Sequence, residues 1–246
     1  MAITTTTISG LTVRMVDAGG AAGGAGAGSP LVILLHGFSM RADDLSPFGA
    51  SLGLPALFLF PEGPIDLAPH GLSGRAWWLI DVARRDAAVA RGEERDLADE
   101  HPPGLPAAHQ RLGALVAEAQ ARWPGRPLFL GGFSQGAILS LDLTLAARPP
   151  LAGLILLSSG RVTANAWRSM MGNVRGLRIF QSHGRGDREL SFTAAQALAG
   201  DLAAAGADHT FLPFDGGHEI PLPVLRALKR FIRAGGPVAP IASAGE

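Results

Sequence analysis

Short runs made almost wholly of apolar residues recur along the chain at 31–35, 56–60, 128–130, 154–157, 177–180 and 210–214. Runs this short, several of them closed by Gly, Pro or His, predict strands buried on both faces. Between them lie segments whose apolar positions repeat every three or four residues. The segment 107–122 carries Leu112, Leu115, Val116 and Ala119 on one face and stops before Pro124. The segment 137–147 repeats Ile138, Leu141 and Leu145 ahead of Pro149 and Pro150; 192–205 repeats Ala195, Leu198 and Leu202 up to Gly206; 222–234 repeats Leu225, Leu228, Phe231 and Ile232 up to Gly235. These are helix signatures with their stop signals. Strand and helix alternating at this interval predict an α/β class, with a mostly parallel central sheet and helices on both faces.

Three stretches stand outside that rhythm. Residues 3–17 alternate apolar and polar, with Ile8, Leu11, Val13 and Met15 among threonines, and suit one or two edge strands. Residues 19–28 are glycine and alanine with a composition that packs nothing; lacking G-x-G-x-x-G and G-K-[ST], they read as a flexible connector and not as a phosphate loop. Residues 66–106 mix Gly, Pro, Arg, acids and the adjacent Trp77 and Trp78 with weak periodicity. They are expected to form either a cap or lid, or a surface excursion with one short helix.

Composition narrows the function classes. At 246 residues and 25.4 kDa, with 47% apolar and 17% charged residues, the chain fits one large domain spanning 1–246 with a substantial core. Its 21 basic and 21 acidic residues balance, so it lacks the basic excess that a nucleic-acid binder uses against phosphates. There is no cysteine, which removes disulfides, thiolate nucleophiles and cysteine-held zinc. Neither a secretory signal pattern nor a bilayer-length apolar run is legible, so a cytoplasmic location without integral membrane association is the expectation.

The chemistry centres on Gly132-Phe133-Ser134-Gln135-Gly136, a G-x-S-x-G pattern. With 14 serines and 33 glycines, chance alone would supply about 0.25 such patterns. Context decides: it follows the strand run 128–130 and precedes the helix run from Ala137. A tight strand-to-helix turn lifts the serine hydroxyl above the sheet, and at the helix N-terminus the Gln135 amide points where negative charge would develop.

A serine hydroxyl needs a base to act as nucleophile. Of the seven histidines, His218 is preferred, because the loop Asp215-Gly216-Gly217-His218-Glu219 follows the last strand and lies at the carboxyl edge of the sheet. His70 and His101 fall in the irregular segment, His109 opens a helix and His209 begins a strand. The acid that fixes the imidazole is expected to be Asp187, after the strand run 177–180, with Asp215 as the rival close to His218. After the first buried strand, His36-Gly37-Phe38 can aim the Phe38 amide at the same point as that of Gln135, with His36 as buttress.

Together these pieces resemble the phospholipase/carboxylesterase family of α/β-hydrolases, which includes the acyl-protein thioesterases. The resemblance rests on Leu35-His36-Gly37-Phe38, Ala42-Asp43-Asp44-Leu45, Arg75-Ala76-Trp77-Trp78, Gly132 to Ala137, His183-Gly184 with Asp187, and Gly217-His218-Glu219-Ile220-Pro221. It implies the α/β-hydrolase fold with Ser134 as nucleophile, Asp187 as acid and His218 as base. Phe38 and Gln135 would then supply oxyanion amides. It further implies hydrolysis of small-molecule carboxylic esters, thioesters or lysophospholipids without metal or organic cofactor. Ser39-Met40 and Leu190-Ser191 depart from the family's usual Gly-Asp and Val-Pro, and residues 81–106 are not a standard feature. Met40, Trp77 and Trp78 are candidates for an apolar acyl site. Two rival readings use the same fold: a catalytically silent binding module, and a perhydrolase or acyltransferase with another acyl acceptor. For the hydrolase, activity should fall below about pH 6–7 as an ordinary histidine protonates.

Overall fold

The computed structural model describes residues 3–19 and 28–235; residues 20–27 of the glycine-alanine connector lie outside the described residues. The elements run β1 (Ile3–Ile8), β2 (Leu11–Asp17), β3 (Leu31–Leu35), α1 (Ala42–Ser51), β4 (Leu57–Pro61), the short strands β5 (Ile65–Asp66) and β6 (Arg75–Ala76), α2 (Val82–Ala90) and α3 (Leu105–Arg122). There follow β7 (Leu128–Phe133), α4 (Gln135–Ala147), β8 (Gly153–Leu157), α5 (Ala164–Met170), β9 (Arg178–Gly184), α6 (Phe192–Ala204), β10 (Asp208–Phe214) and α7 (Leu222–Arg233).

An eight-stranded sheet has the order β1-β2-β4-β3-β7-β8-β9-β10. The first two strands join antiparallel, as a hairpin and then against β4, and every later pairing is parallel. The apolar runs are strands because both faces are covered. Along β3, Leu31, Ile33 and Leu35 enter the core beneath α3 and α4, while Val32 and Leu34 enter the opposite core beneath α1 and α7. Phe129, Phe180 and Phe231 meet in that second core, which fastens α7 to β7 and β9. This is the α/β-hydrolase arrangement with helices on both faces.

Helix α4 lies inside the molecule, with Ala137 to Leu141 all buried. That placement explains its nearly uniform apolar character, which a surface helix would not tolerate. Residues 66–106 hold more structure than their pattern suggests: the β5–β6 hairpin, one turn of 3-10 helix at Ala68–His70, and α2. Helices α1 and α5 have no counterpart in the periodicity. The first carries Pro47 inside it, and the second is only seven residues long.

Candidate active site

The parallel strands β3, β7, β9 and β10 all end on one edge, and each hands its chain to a loop that carries an expected functional residue. Ser134 sits between β7 and α4 at φ +54°, ψ −119°, a conformation an L-residue holds only when its surroundings enforce it. The enforcement is close packing. A Cβ on Gly132 would lie 2.5 Å from the Leu35 carbonyl oxygen, and one on Gly136 would lie 2.5 Å from that same oxygen and 2.7 Å from that of His36. The two glycines therefore let the elbow press against the end of β3. The Ser134 N–H is tied to Leu157 O at 2.9 Å, which fixes the turn from the other side.

His218, in the loop after β10, is hydrogen-bonded through Nδ1 to Asp187 Oδ2 at 2.6 Å. The carboxylate oxygen accepts, so Nδ1 carries the proton and Nε2 is left bare. Asp187 has no exposed side-chain surface, against 18% for His218. Its Oδ1 accepts from the Glu189 N–H at 2.8 Å and the Leu190 N–H at 2.9 Å. Burial raises the carboxyl's pKa, but the hydrogen bond and charge of His218, the Leu190 amide and His183 outweigh it and hold the group below its ordinary value. Asp215 does not compete. Its side chain is 97% exposed and faces Arg185 at 3.6 Å.

His183 went unassigned by sequence reasoning. It is fully buried, with Nε2 3.1 Å from Leu190 O and 3.3 Å from Asp187 Oδ2. Both neighbours are acceptors, so Nε2–H is the protonated nitrogen. Desolvation keeps the ring neutral, its pKa lowered despite the nearby carboxylate. The signal was its place four residues before Asp187 on the same strand-to-loop segment.

The loop after β3 is braced by His36, whose Nδ1–H donates to Gly37 O at 2.7 Å and whose Nε2 accepts from the Gly63 N–H at 2.8 Å. Burial depresses its pKa to about 4, so it is the neutral donor-acceptor strut this loop requires. Among the described residues, neither the Phe38 nor the Gln135 main-chain N–H has a hydrogen-bond acceptor. Both residues line the cleft, as do Ser134 and His218.

Sequence reasoning also missed the work of the Gln135 side chain. Its Oε1 accepts from the Trp77 N–H and its Nε2 donates to Trp78 O, both at 2.9 Å, so it pairs with the insertion like a strand edge. Trp77 Nε1–H donates to His36 O at 3.0 Å, and its ring packs on the His36 ring. The two tryptophans thus divide: Trp77 is buried as packing, whereas Trp78 lines the cleft beside Met40, Phe133 and Ile138. The cleft has a volume of about 1080 Å³, and residues of the 66–106 segment, among them Leu79, Arg85 and Leu97, form a large part of its wall.

What the structure brings together is the Asp187–His218 pair and a cleft shared by His218, Ser134, Phe38 and Gln135. It does not join Ser134 to His218 by a hydrogen bond; the His218 ring instead rests against Phe133, centroids 4.7 Å apart. Free enzymes often hold such pairs loosely and tighten them on substrate. Among the described residues no three His, Asp or Glu side chains gather as a metal site, and no helix is long and apolar enough to cross a membrane.

Solved structures share this arrangement of elements. The crystal structure of esterase PE8 is 25% identical, covers 91% of this chain and 98% of its own, and superposes with a TM-score of 0.74. A carboxylesterase from Mesorhizobium loti (18% identity, 94% and 98% coverage, TM-score 0.68) and acyl-protein thioesterase 2 of Zea mays (19%, 91% and 98%, 0.67) share the fold. The sequence profile of the phospholipases and carboxylesterases matches residues 23–235, nearly the whole chain. With that match, the chain belongs to the phospholipase/carboxylesterase family.

Proposed function

We propose that this protein is a serine hydrolase that cleaves carboxylic esters of small molecules through an acyl-enzyme on Ser134. The observation that carries the reading is the 2.6 Å hydrogen bond from His218 Nδ1 to the buried Asp187, made beside the cleft that Ser134 lines. Pinned in that tautomer, His218 presents Nε2 as the base. It takes the Ser134 proton as Oγ attacks the carbonyl carbon, and the Asp187 carboxylate stabilises the resulting imidazolium.

The carbonyl oxygen becomes an oxyanion, held by the acceptor-free amides of Phe38 and Gln135. Loss of one such donor typically costs on the order of 100–1,000-fold in rate. His218 then returns its proton to the leaving alcohol or thiol, and the C–O or C–S bond breaks. Water enters, gives its proton to His218 and attacks the acyl carbon. The acid leaves and Ser134 regains its hydrogen.

Trp78, Met40, Phe133 and Ile138 supply an apolar wall for the acyl chain. Apolar walls separate neighbouring chain lengths by only about 1–3 kcal/mol per methylene, which favours a graded preference among acyl esters. The test is hydrolysis of a p-nitrophenyl ester series by the wild type and by Ser134→Ala. The variant is expected to lose about 10⁶-fold in kcat while its thermal midpoint barely moves. Full activity in the variant would contradict the reading.

A further inference from the structure

The segment that departs from the family pattern is fastened to the loop that carries the acid. Ser191 N–H donates to Arg95 O at 3.0 Å, and Ser191 Oγ donates to Glu94 Oε2 at 2.7 Å. Arg95 Nη1 donates to Glu189 O at 2.8 Å, and Glu189 Oε2 lies 3.7 Å from Arg85 Nε and 3.9 Å from Arg95 Nη1. The Arg95 side chain is only 16% exposed, so this guanidinium is largely withdrawn from water.

Glu189 C=O and Leu190 N–H belong to one planar peptide unit and point in opposite directions. Arg95 grips the carbonyl end, while the amide end donates to Asp187 Oδ1 at 2.9 Å. The next unit is held in the same way. Leu190 C=O accepts from His183 Nε2, and Ser191 N–H is bound by Arg95 O. The 189–190 unit, which donates to the carboxylate, and the 190–191 unit that follows it are therefore each held at one end by the insertion. A cation on the carbonyl also polarises the peptide and strengthens the bond its N–H makes.

We infer that Arg95 is a positioning residue for the proposed triad: through the Glu189–Leu190 peptide it aims Asp187 at His218, making the insertion part of the acid's mounting as well as a cleft wall. The inference rests on the ester-hydrolase reading above. It also explains how Leu190-Ser191 can stand where the family has another pair. Ser191 is the residue that receives the insertion, and a proline there would have no N–H to donate.

The test compares wild type, Arg95→Ala, Arg95→Lys and Glu94→Ala on p-nitrophenyl acetate, whose acetyl group makes little use of the acyl wall. Arg95→Ala is expected to lower kcat about tenfold with KM within about twofold, the pattern of a misplaced catalytic group. The downfield proton resonance of the His218 Nδ1–H···Asp187 bond should broaden or move upfield in that variant. Arg95→Lys, which can still donate to Glu189 O, should recover most of the lost rate. Glu94→Ala changes only a surface partner of Ser191 and should cost about two- to threefold in kcat; it stands in if Arg95→Ala does not fold.

An unchanged kcat and an unmoved downfield proton in folded Arg95→Ala, with only longer acyl esters affected, would overturn the inference and leave Arg95 as wall alone. So would an unchanged kcat in Glu94→Ala where Arg95→Ala fails to fold. The hydrolase reading fails separately. A wild-type protein inert towards the acetate would overturn it, and this inference with it.

Discussion

Two regions meet at the cleft and are built by opposite means. The platform formed by β3, β7, α4 and the Ser134 elbow is apolar and dense: Leu35, Phe133, Ala137 and Ile138 are all buried, and two glycines permit contacts no side chain could share. Residues 81–100 of the insertion are charged and carry polar ties to the rest of the chain, among them Arg161 Nη2 to Asp96 Oδ2 at 2.7 Å, Ala164 N–H to Ala98 O at 2.8 Å and Thr163 N–H to Glu100 O at 3.0 Å. Close packing fixes a backbone to fractions of an ångström and tolerates little change. Polar ties across a surface each contribute less, yet they can be rewritten one at a time. The Ser134 elbow sits on the first kind of structure, and the charged segment that walls the cleft sits on the second. The Gln135–Trp77–Trp78 clamp and the Arg95 contacts are where the two are joined.

The sharpest way to break this comparison is at the buried acid. Asp187→Asn should lower kcat by about 10⁴-fold, because the amide no longer holds His218 in the required tautomer. Asp215→Asn, on an exposed side chain facing Arg185, should stay within about twofold by steady-state assay. Equal losses in the two would reassign the acid.

Acid should next weaken the platform. His36 titrates near 4 in the folded protein and near 6.5 unfolded, so the unfolded chain binds the proton more readily between those values. Stability present above 6.5 is thus lost as pH falls towards about 4, to the extent of about 3 kcal/mol from this group. Burial lowers His183 and His209 as well, and both act in the same sense. Urea unfolding at about pH 7.5 and about pH 4 checks it; a flat profile would mean that His36 is not desolvated as described.

Packing at the elbow gives a smaller effect. Alanine suits a helix better than glycine by about 1 kcal/mol. At Gly136, however, the new Cβ would meet backbone oxygens at 2.5 and 2.7 Å, which cannot swing aside. The clash wins, and Gly136→Ala should destabilise by about 2 kcal/mol in chemical denaturation. At the insertion's polar ties, by contrast, Arg161→Ala removes the ion pairs with Asp96 and Asp201 and should cost about 0–1 kcal/mol, less at high salt. A reversal of these last two magnitudes would erase the distinction between the regions.

The same contrast governs what could be read from the residues alone. Strands β3, β4, β7 and β8 were legible because burial on both faces leaves an unbroken apolar run, and α3, α4, α6 and α7 because an apolar stripe or a stop residue marks them. Helix α2 buries only Ala88 and so writes no stripe, while α1 hides its pattern around Pro47. The elbow is marked by local spacing, and sheet topology brings Ser134 and His218 to one cleft with Asp187 buried against His218. The bonds from Arg95 to Glu189 and from Gln135 to Trp77 and Trp78 span long stretches of chain between polar groups with no period, so nothing local signals them. Two adjacent tryptophans both suit an acyl site, with no local sign of which ring faces the cleft.

The central claim, that the reaction runs through Ser134, is tested most directly by treating the folded protein with a fluorophosphonate and mapping the adduct by mass spectrometry. One adduct on Ser134, forming in step with loss of ester hydrolysis, is the predicted result. Complete inactivation with the adduct on another residue, or full labelling of Ser134 with hydrolysis intact, would contradict it.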